Sequence, residues 1–237
     1  MIPARVEKLR RLAVRPGLWR TALSGVVPAL EHWPAFEGWR FDTVVDAGAH
    51  RGQFATFALT RWPAARVICF EPLPKPRARL KRTLAGLAAP HRWEIRAEAL
   101  GARSGAAHMH VASREDSSSM LPLGPEQKRL FSMDETGREP VTVARLDEAL
   151  ADLQLGRALL KIDVQGFELE VLKGAGALLE RFEAVYVECS FRELYVGQSL
   201  EGAVTAFLAE TGFNPENERR NFVVFGDVVQ VDKLYRR

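Results

Sequence analysis

The stretch Phe41-Asp42-Thr43-Val44-Val45-Asp46-Ala47-Gly48-Ala49-His50-Arg51-Gly52-Gln53-Phe54 most constrains what this chain can fold into. An apolar, β-branched run reaches an acid, passes two glycines four positions apart, and continues into Phe54-Ala55-Thr56-Phe57-Ala58-Leu59 at helical spacing. A strand, a tight turn and a helix follow from that order, with glycine letting the backbone pass close to a ligand. Such turns often hold a pyrophosphate at the helix N-terminus. The dinucleotide fingerprint, however, needs glycines at the first, third and sixth positions, and only Gly48 and Gly52 are present. Asp46 places a carboxylate where two phosphates would sit, and it would repel them. The plainer alternative is a strand that ends in a structural Asx turn or helix cap.

A nucleoside with a cationic or zwitterionic tail suits this rim better, and S-adenosylmethionine is the common cofactor of that kind. Its expected contacts are Asp46, Gly48, Ala49, His50, Gly52, Gln53 and Phe54. A second strand, Ala65-Arg66-Val67-Ile68-Cys69-Phe70-Glu71-Pro72, ends about twenty-five positions beyond Asp46, the length of one βαβ unit. An acid there can accept both ribose hydroxyls, so Glu71 is the strongest single-residue candidate, flanked by Pro72 and Leu73. A merely solvated strand-end glutamate is the alternative. Pro72, Pro74 and Pro76 stop the strand and start a helix expected over Arg77–Leu87. Trp93–Gly101 reads as a third strand, whose end at Glu98, Ala99 and Leu100 is where an adenine would lie.

Gly105–Ala112 reads as a further strand with His108 and His110 on one face. No third ligand is visible nearby, so solvent exposure rather than metal binding is expected there, and no metal is expected elsewhere. Residues 113–139 lack periodicity and are expected to form a substrate loop or lid. Ser117, Ser118, Ser119 and Met120 are its candidate contacts, against the alternative of an insertion without a role. A short strand, Val141–Ala144, and a short helix, Arg145–Leu150, follow. Ala158–Gly166 reads as a buried strand with polar groups at its end. Side-chain alternation places Lys161 and Asp163 on one face, toward the cleft, with Gln165 beyond them. Phe167–Gly174 is a helix with Gly174 as its C-terminal signal. Ala184–Ser190 is another strand finishing near an acid, Glu188. A helix over Ser199–Thr211 and a hairpin around Gly226-Asp227 close the chain. The alternation specifies an α/β fold: a doubly wound, mostly parallel sheet with an antiparallel C-terminal hairpin and an N-terminal helical extension.

With 237 residues the chain fits one α/β domain, taken as 41–237 behind an extension over 1–40. The net charge of +3 comes from 33 basic against 30 acidic residues, which gives no reason to expect nucleic acid as a partner. No uncharged run is long enough to span a bilayer. Two cysteines, Cys69 and Cys189, each end an apolar run and suggest reduced thiols in a cytoplasmic protein. The first forty residues interleave Arg5, Lys8, Arg10, Arg11, Arg15 and Arg20 with Val6, Leu9, Leu12, Leu18 and Leu23, as amphipathic helices broken near Pro16-Gly17 would. They lack a signal-peptide core. A packed helical cap is the first reading; a lid, a homodimer contact or a membrane-surface helix are the others.

Val45-Asp46-Ala47-Gly48-Ala49, Phe70-Glu71-Pro72, Ala99-Leu100-Gly101, Leu160-Lys161-Ile162-Asp163-Val164-Gln165-Gly166-Phe167-Glu168 and Val171-Leu172-Lys173-Gly174 together resemble the FkbM family of S-adenosylmethionine-dependent methyltransferases. The resemblance covers roughly Asp42 to Ser190. His50-Arg51 stands where the family commonly has Asn and a small or aliphatic residue, and Gln165-Gly166-Phe167 where Glu-Gly-Ala is frequent. The resemblance implies a class I, Rossmann-like methyltransferase fold and O-methylation of a hydroxyl on a sugar, polyketide or related small-molecule or glycan acceptor. Methyl transfer is an in-line displacement, so the protein chiefly aligns the acceptor and removes its proton. Asp163 is the first candidate base, with Lys161 as an orienting charge and Glu188 or His50 as substitutes. A structural Lys161–Asp163 ion pair is the alternative. Two rival functions remain at this stage: a catalytically silent binding domain, and a nicotinamide-dependent oxidoreductase. No Asn-Pro-Pro-aromatic turn of base-modifying enzymes occurs.

Overall fold

The computed structural model describes residues 26–224 and 226–237, so the helices expected over 1–25 lie outside the described residues. A seven-stranded sheet forms the centre, made of β1 (Thr43–Ala47), β2 (Arg66–Phe70), β3 (Trp93–Arg96), β7 (Ala158–Ile162), β8 (Phe182–Ser190), β9 (Asn214–Val224) and β10 (Asp227–Arg236). Their spatial order is β3-β2-β1-β7-β8-β10-β9. The pairs β3-β2, β2-β1, β1-β7 and β7-β8 are parallel, whereas β10 runs antiparallel to β8 and β9. This is the mostly parallel, doubly wound sheet with an antiparallel end that the sequence specifies.

Helices cover both faces, so the central strands bury side chains in both directions. On one face Val45, Ile68, Leu160, Ile162, Val185 and Val187 pack with helices α4 (Leu146–Ala149), α5 (Glu168–Ala175) and α6 (Glu201–Glu210) through Leu146, Val171, Leu172, Val204 and Leu208. On the other, Val44, Val67, Cys69, Leu159 and Tyr186 pack with α1 (Gln53–Arg61) and α2 (Pro74–Ala85). A 3-10 turn over Leu30–Phe36 joins this second layer, and Phe36 meets Phe57, Trp62 and Tyr186 with ring centroids 4.9 to 5.8 Å apart. Both cysteines are free and buried. Among the described residues no helix is long and apolar enough to cross a membrane.

Several boundaries differ from the sequence reading. The third strand is two: β3 ends at Arg96, and the chain then leaves the main sheet, so that β4 (Ala99–Leu100) pairs with β6 (Glu135–Ala144) in a separate sheet of order β4-β6-β5. Period-two alternation continues across Ala97-Glu98, but it carries no sign of a change of sheet. β5 is Gly105–Ala112, as expected, but His110 is not solvent-exposed: its Nδ1 lies 2.9 Å from Glu135 Oε2. Residues 113–139 are not an open loop. They hold a 3-10 turn over Glu115–Ser117, helix α3 (Pro125–Phe131) and the first half of β6. The helix after the proline cluster begins at Pro74, because proline at the first helical turn loses nothing by lacking an N–H.

Gly174 is not the C-terminal signal of α5. The helix runs to Ala175 and ends at Gly176, whose φ is +49°. Gly174 instead lets α5 lie against the backbone after β4: a Cβ there would sit 2.1 Å from Gly101 O. In an unconstrained helix Gly→Ala stabilises by about 0.5–1 kcal/mol. Here the new methyl meets backbone that cannot swing aside, so Gly174→Ala is expected to destabilise by about 1–3 kcal/mol or more. Urea unfolding checks the sign; an unchanged or higher midpoint contradicts this account.

Candidate active site

In a doubly wound sheet the ligand cleft lies beyond the carboxyl ends of the strands where strand order reverses. Here that point is between β1, which neighbours β2, and β7. A cavity of about 430 Å³ opens there, within the usual range for a small-molecule site.

The turn after β1 forms the first wall. Gly48 has φ +80°, and a Cβ on it would meet Asp163 O at 1.9 Å, so only glycine fits between β1 and β7. Gly48 N and Ala49 N both donate to Phe70 O at 3.1 Å, His50 N donates to Glu71 Oε2 at 2.9 Å, and Gly52 N to Ala49 O at 2.8 Å. His50 takes an unusual φ of +48°, and its Nε2 is buried without a protein partner. Burial, aided by the nearby Arg51 charge, holds the His50 imidazole below its usual range. Gln53 and Phe54, at the start of α1, also line the cavity.

Glu71, just beyond β2, forms the second wall. Its carboxylate accepts from His50 N at 2.9 Å and Leu73 N at 2.8 Å, which fixes its plane. Burial pushes its pKa up to about 7 in spite of those amides. Pro72 and Leu73 continue this wall. Glu98, Ala99 and Leu100 reach the same cavity from the small sheet.

At the end of β7, Lys161 is held between carboxylates. Its Nζ is 3.0 Å from Asp46 Oδ1 and 3.7 Å from Asp163 Oδ2, and it donates to Gly48 O at 3.2 Å. Burial acts against the ammonium, but Asp46 and Asp163 outweigh it and hold Lys161 above the ordinary lysine range. Asp163 also accepts from Gln165 Nε2 at 2.7 Å. That amide reaches Glu188 Oε2 at 3.3 Å, which Gln230 Nε2 approaches at 3.0 Å. Gln165 has φ +59°, and its backbone and side chain are pinned: Ser119 Oγ donates to its O at 2.6 Å, and the Tyr195 hydroxyl donates to its Oε1 at 2.7 Å.

Residues 115–120 close the cavity over the turn. Glu115 receives Arg51 at 3.3 Å, Arg79 at 3.1 Å and Lys75. Lys75, then Arg79 and Arg51, hold the Glu115 carboxyl below the usual carboxylate range. Ser117, Ser118 and Met120 line the space beneath it.

Three expected contacts fall outside the cavity wall. Asp46 is fully buried, meets Lys161 at 3.0 Å and does not line the cavity. Gly52 supports the left-handed start of α1, with φ +94°, and packs under Leu80. Ser119 is 1% exposed and holds Gln165 from behind. The structure brings the other candidates together. It also adds Glu31, His32, Tyr186, Arg219, Gln230 and Asp232 to the wall, none of which the sequence reading singled out. One signal was available: Gln230 and Asp232 are polar residues two apart, alternating with Val229 and Val231, so they share one face of the strand. Among the described residues no group of His, Cys, Asp and Glu is arranged to hold a metal ion.

The turn between Asp163 and α5 depends on Glu168, whose Oε1 accepts from Val164 N at 3.2 Å and Gly166 N at 2.9 Å. Burial pushes the Glu168 pKa up from 4.5 to about 7. A raised folded-state value means its contribution is complete below pH 4.5 and is lost as pH rises through about 7. Glu168→Gln keeps the accepting oxygen without the charge. Relative to the parent it is expected to gain stability progressively across that window, by at most about 3 kcal/mol. Denaturation midpoints at several pH values test this; a constant difference between the two proteins refutes it.

The geometry can be set beside known proteins. NoeI of Sinorhizobium fredii, named a 2-O-methyltransferase, is 28% identical over 163 residues, which cover 65% of this chain and 66% of NoeI. The methyltransferase sdnD of Sordaria araneosa is 29% identical over 200 residues, 74% of this chain and 75% of sdnD. The solved structure of magnesium protoporphyrin IX methyltransferase from Synechocystis, with bound SAM, superposes with a TM-score of 0.50 at 12% identity over 94% of this chain and 82% of that one. At that identity it shows the fold alone, that of class I methyltransferases. The methyltransferase FkbM domain matches residues 46–215, which span β1 to the start of β9 and hold Glu71, Lys161, Asp163 and Glu188. The chain therefore belongs to the FkbM methyltransferase family.

Proposed function

We propose that this protein uses S-adenosylmethionine to methylate a hydroxyl of a small-molecule or glycan acceptor. The observation that carries the cofactor reading is the state of the turn after β1. Its Gly48, Ala49, His50 and Gly52 amides are committed to protein oxygens, so they are not offered to a pyrophosphate. Carboxylates outnumber cations in the adjoining wall: Glu71, Glu98, Glu115, Asp116 and Asp163 against Arg114 and Lys161. That set of acceptors fits a nucleoside with hydroxyls and a positively charged tail, and it disfavours a dinucleotide. The unpartnered His50 Nε2 offers it one polar atom.

Glu71 would accept the ribose hydroxyls, and Glu98, Ala99 and Leu100 would bound the base. S-adenosylmethionine, when bound, supplies a methyl group activated by its sulfonium. Asp163 would take the proton from the acceptor hydroxyl. Lys161 and Gln165 fix the plane of that carboxylate, and Glu188 is its neighbour through Gln165. The similarity to NoeI, a named 2-O-methyltransferase, supports oxygen as the methylated atom. Ser117, Ser118, Met120 and Gln165 would face the acceptor.

Two measurements follow. With the Glu71 pKa near 7, S-adenosylmethionine affinity measured by calorimetry is expected to fall as pH drops below about 7. Glu71→Gln should lower affinity by about 1.5–3 kcal/mol and flatten that dependence. Affinity that is unchanged in Glu71→Gln contradicts the placement of the ribose. For the base, Asp163→Asn is expected to slow methyl transfer by about 10²–10⁴-fold. The assay is mass spectrometry of methyl-labelled cofactor with an extract of the source organism, which also identifies the acceptor; full turnover by a folded variant removes Asp163 from this role.

A further inference from the structure

Tyr195 is not part of the cavity wall, yet each group that its hydroxyl bonds is. The residue is 1% exposed. Its hydroxyl oxygen accepts from Gln127 Nε2 of α3 at 3.1 Å, and its one proton faces two carbonyl oxygens, Ser117 O at 3.0 Å and Gln165 Oε1 at 2.7 Å. Gln127, Ser117 and Gln165 line the cavity from three separate segments. Burial, with the Glu188 and Asp163 charges nearby, raises the Tyr195 pKa, so the proton stays on that oxygen.

The tyrosine is anchored from behind. Gln198 Oε1 accepts from Leu194 N at 2.9 Å and Tyr195 N at 3.2 Å, while Gln198 Nε2 donates to Ser190 Oγ at the end of β8 at 3.0 Å. Gly124 N donates to Leu194 O at 2.8 Å, and Val196 N to Pro122 O at 2.9 Å. The ring packs on Gly166, where a Cβ would come within 3.1 Å of Tyr195 Cδ2. The hydroxyl is thus held by β8 and by the segment before α3, not by the groups it serves.

An amide side chain has two unlike ends, and which one faces Asp163 matters. As it stands, Gln165 Nε2 donates to Asp163 Oδ1 at 2.7 Å and to Glu188 Oε2 at 3.3 Å. Turned over, it would set a carbonyl oxygen against both carboxylates. A proton offered from Tyr195 is answered only by Oε1, which fixes the productive orientation. The other charges facing Asp163 are Lys161 on β7, Asp46 on β1, Glu168 on α5 and, when protonated, His50 in the turn after β1.

We propose that Tyr195 is a positioning residue for methyl transfer: through the Gln165 amide it sets the carboxylate of Asp163, and through Ser117 it ties that carboxylate to the segment over the cavity. This rests on the reading of Asp163 as the base that takes the acceptor's proton.

The test compares initial rates of label transfer from saturating methyl-labelled S-adenosylmethionine to an extract of the source organism. Tyr195→Phe keeps the ring and is expected to slow transfer by about 10- to 100-fold, as loss of alignment does. Its affinity for S-adenosylhomocysteine, by calorimetry, should stay within about twofold of the parent, since the Glu71 side is untouched. The acid limb of its rate–pH profile should move to higher pH, because a donor to the ionised carboxylate has loosened. In a Gln165→Met background the same substitution should cost no more than about twofold further, since the route to Asp163 is already cut. Parent rates in Tyr195→Phe, an unmoved acid limb, or losses that multiply in the double variant overturn the proposal. Should Tyr195→Phe not fold, Gln165→Met alone decides: slowed transfer with a raised acid limb supports it, and a parent-like profile overturns it. If the parent protein neither binds S-adenosylhomocysteine nor transfers label, the methyltransferase reading itself fails. If it does both and the variants behave as the parent, only the role of Tyr195 is lost.

Discussion

A lysine inside an α/β core must find anions, and much of this cavity is arranged around how Lys161 does so. Its ammonium sits between Asp46 on β1 and Asp163 beyond β7, with Gly48 O as a further acceptor. Those contacts stitch together the two strands at which sheet order reverses. Removing one partner of such a buried pair commonly costs about 3–5 kcal/mol, because the remaining charge is left without compensation. The same contacts orient Asp163, and Gln165 carries that orientation on to Glu188 and, through Tyr195, to Ser117. The framework of the sheet and the polarity of the site therefore share one set of atoms.

The sheet was legible because its strands are short, apolar and separated by helical periodicity. Residues 43–47, 66–70, 158–162 and 182–190 are strands near where alternation and β-branching place them. Less legible was the small sheet. β4 has two residues, too few for any period, and its partner β6 lies beyond an irregular stretch whose order comes from tertiary contacts. The Glu115 ion cluster, the Ala112 N–H that donates to the Ser118 hydroxyl and the Ser119 hydroxyl that donates to Gln165 O fasten that stretch, and none of these is a local signal.

The site divides along the same line. Glu71, Lys161, Asp163 and Glu188 stand at strand ends, where sequence position alone announces them. Asp46 stands at a strand end too, but its side chain turns inward, since the residue that neutralises it is more than a hundred positions away on β7. His32 and Asp232 could not be paired by spacing, because two hundred residues separate them and only the folded hairpin brings them within 3.4 Å.

The turn after β1 is held by hydrogen bonds within the protein itself. Phe70 O, Glu71 and Ala49 O already take up its amides, and Gly48 is fixed by the wall opposite. A loop in that condition has little conformational entropy left to surrender. Association then spends its free energy on the ligand's own ordering rather than on the protein's, which is the thermodynamic meaning of a preorganised socket.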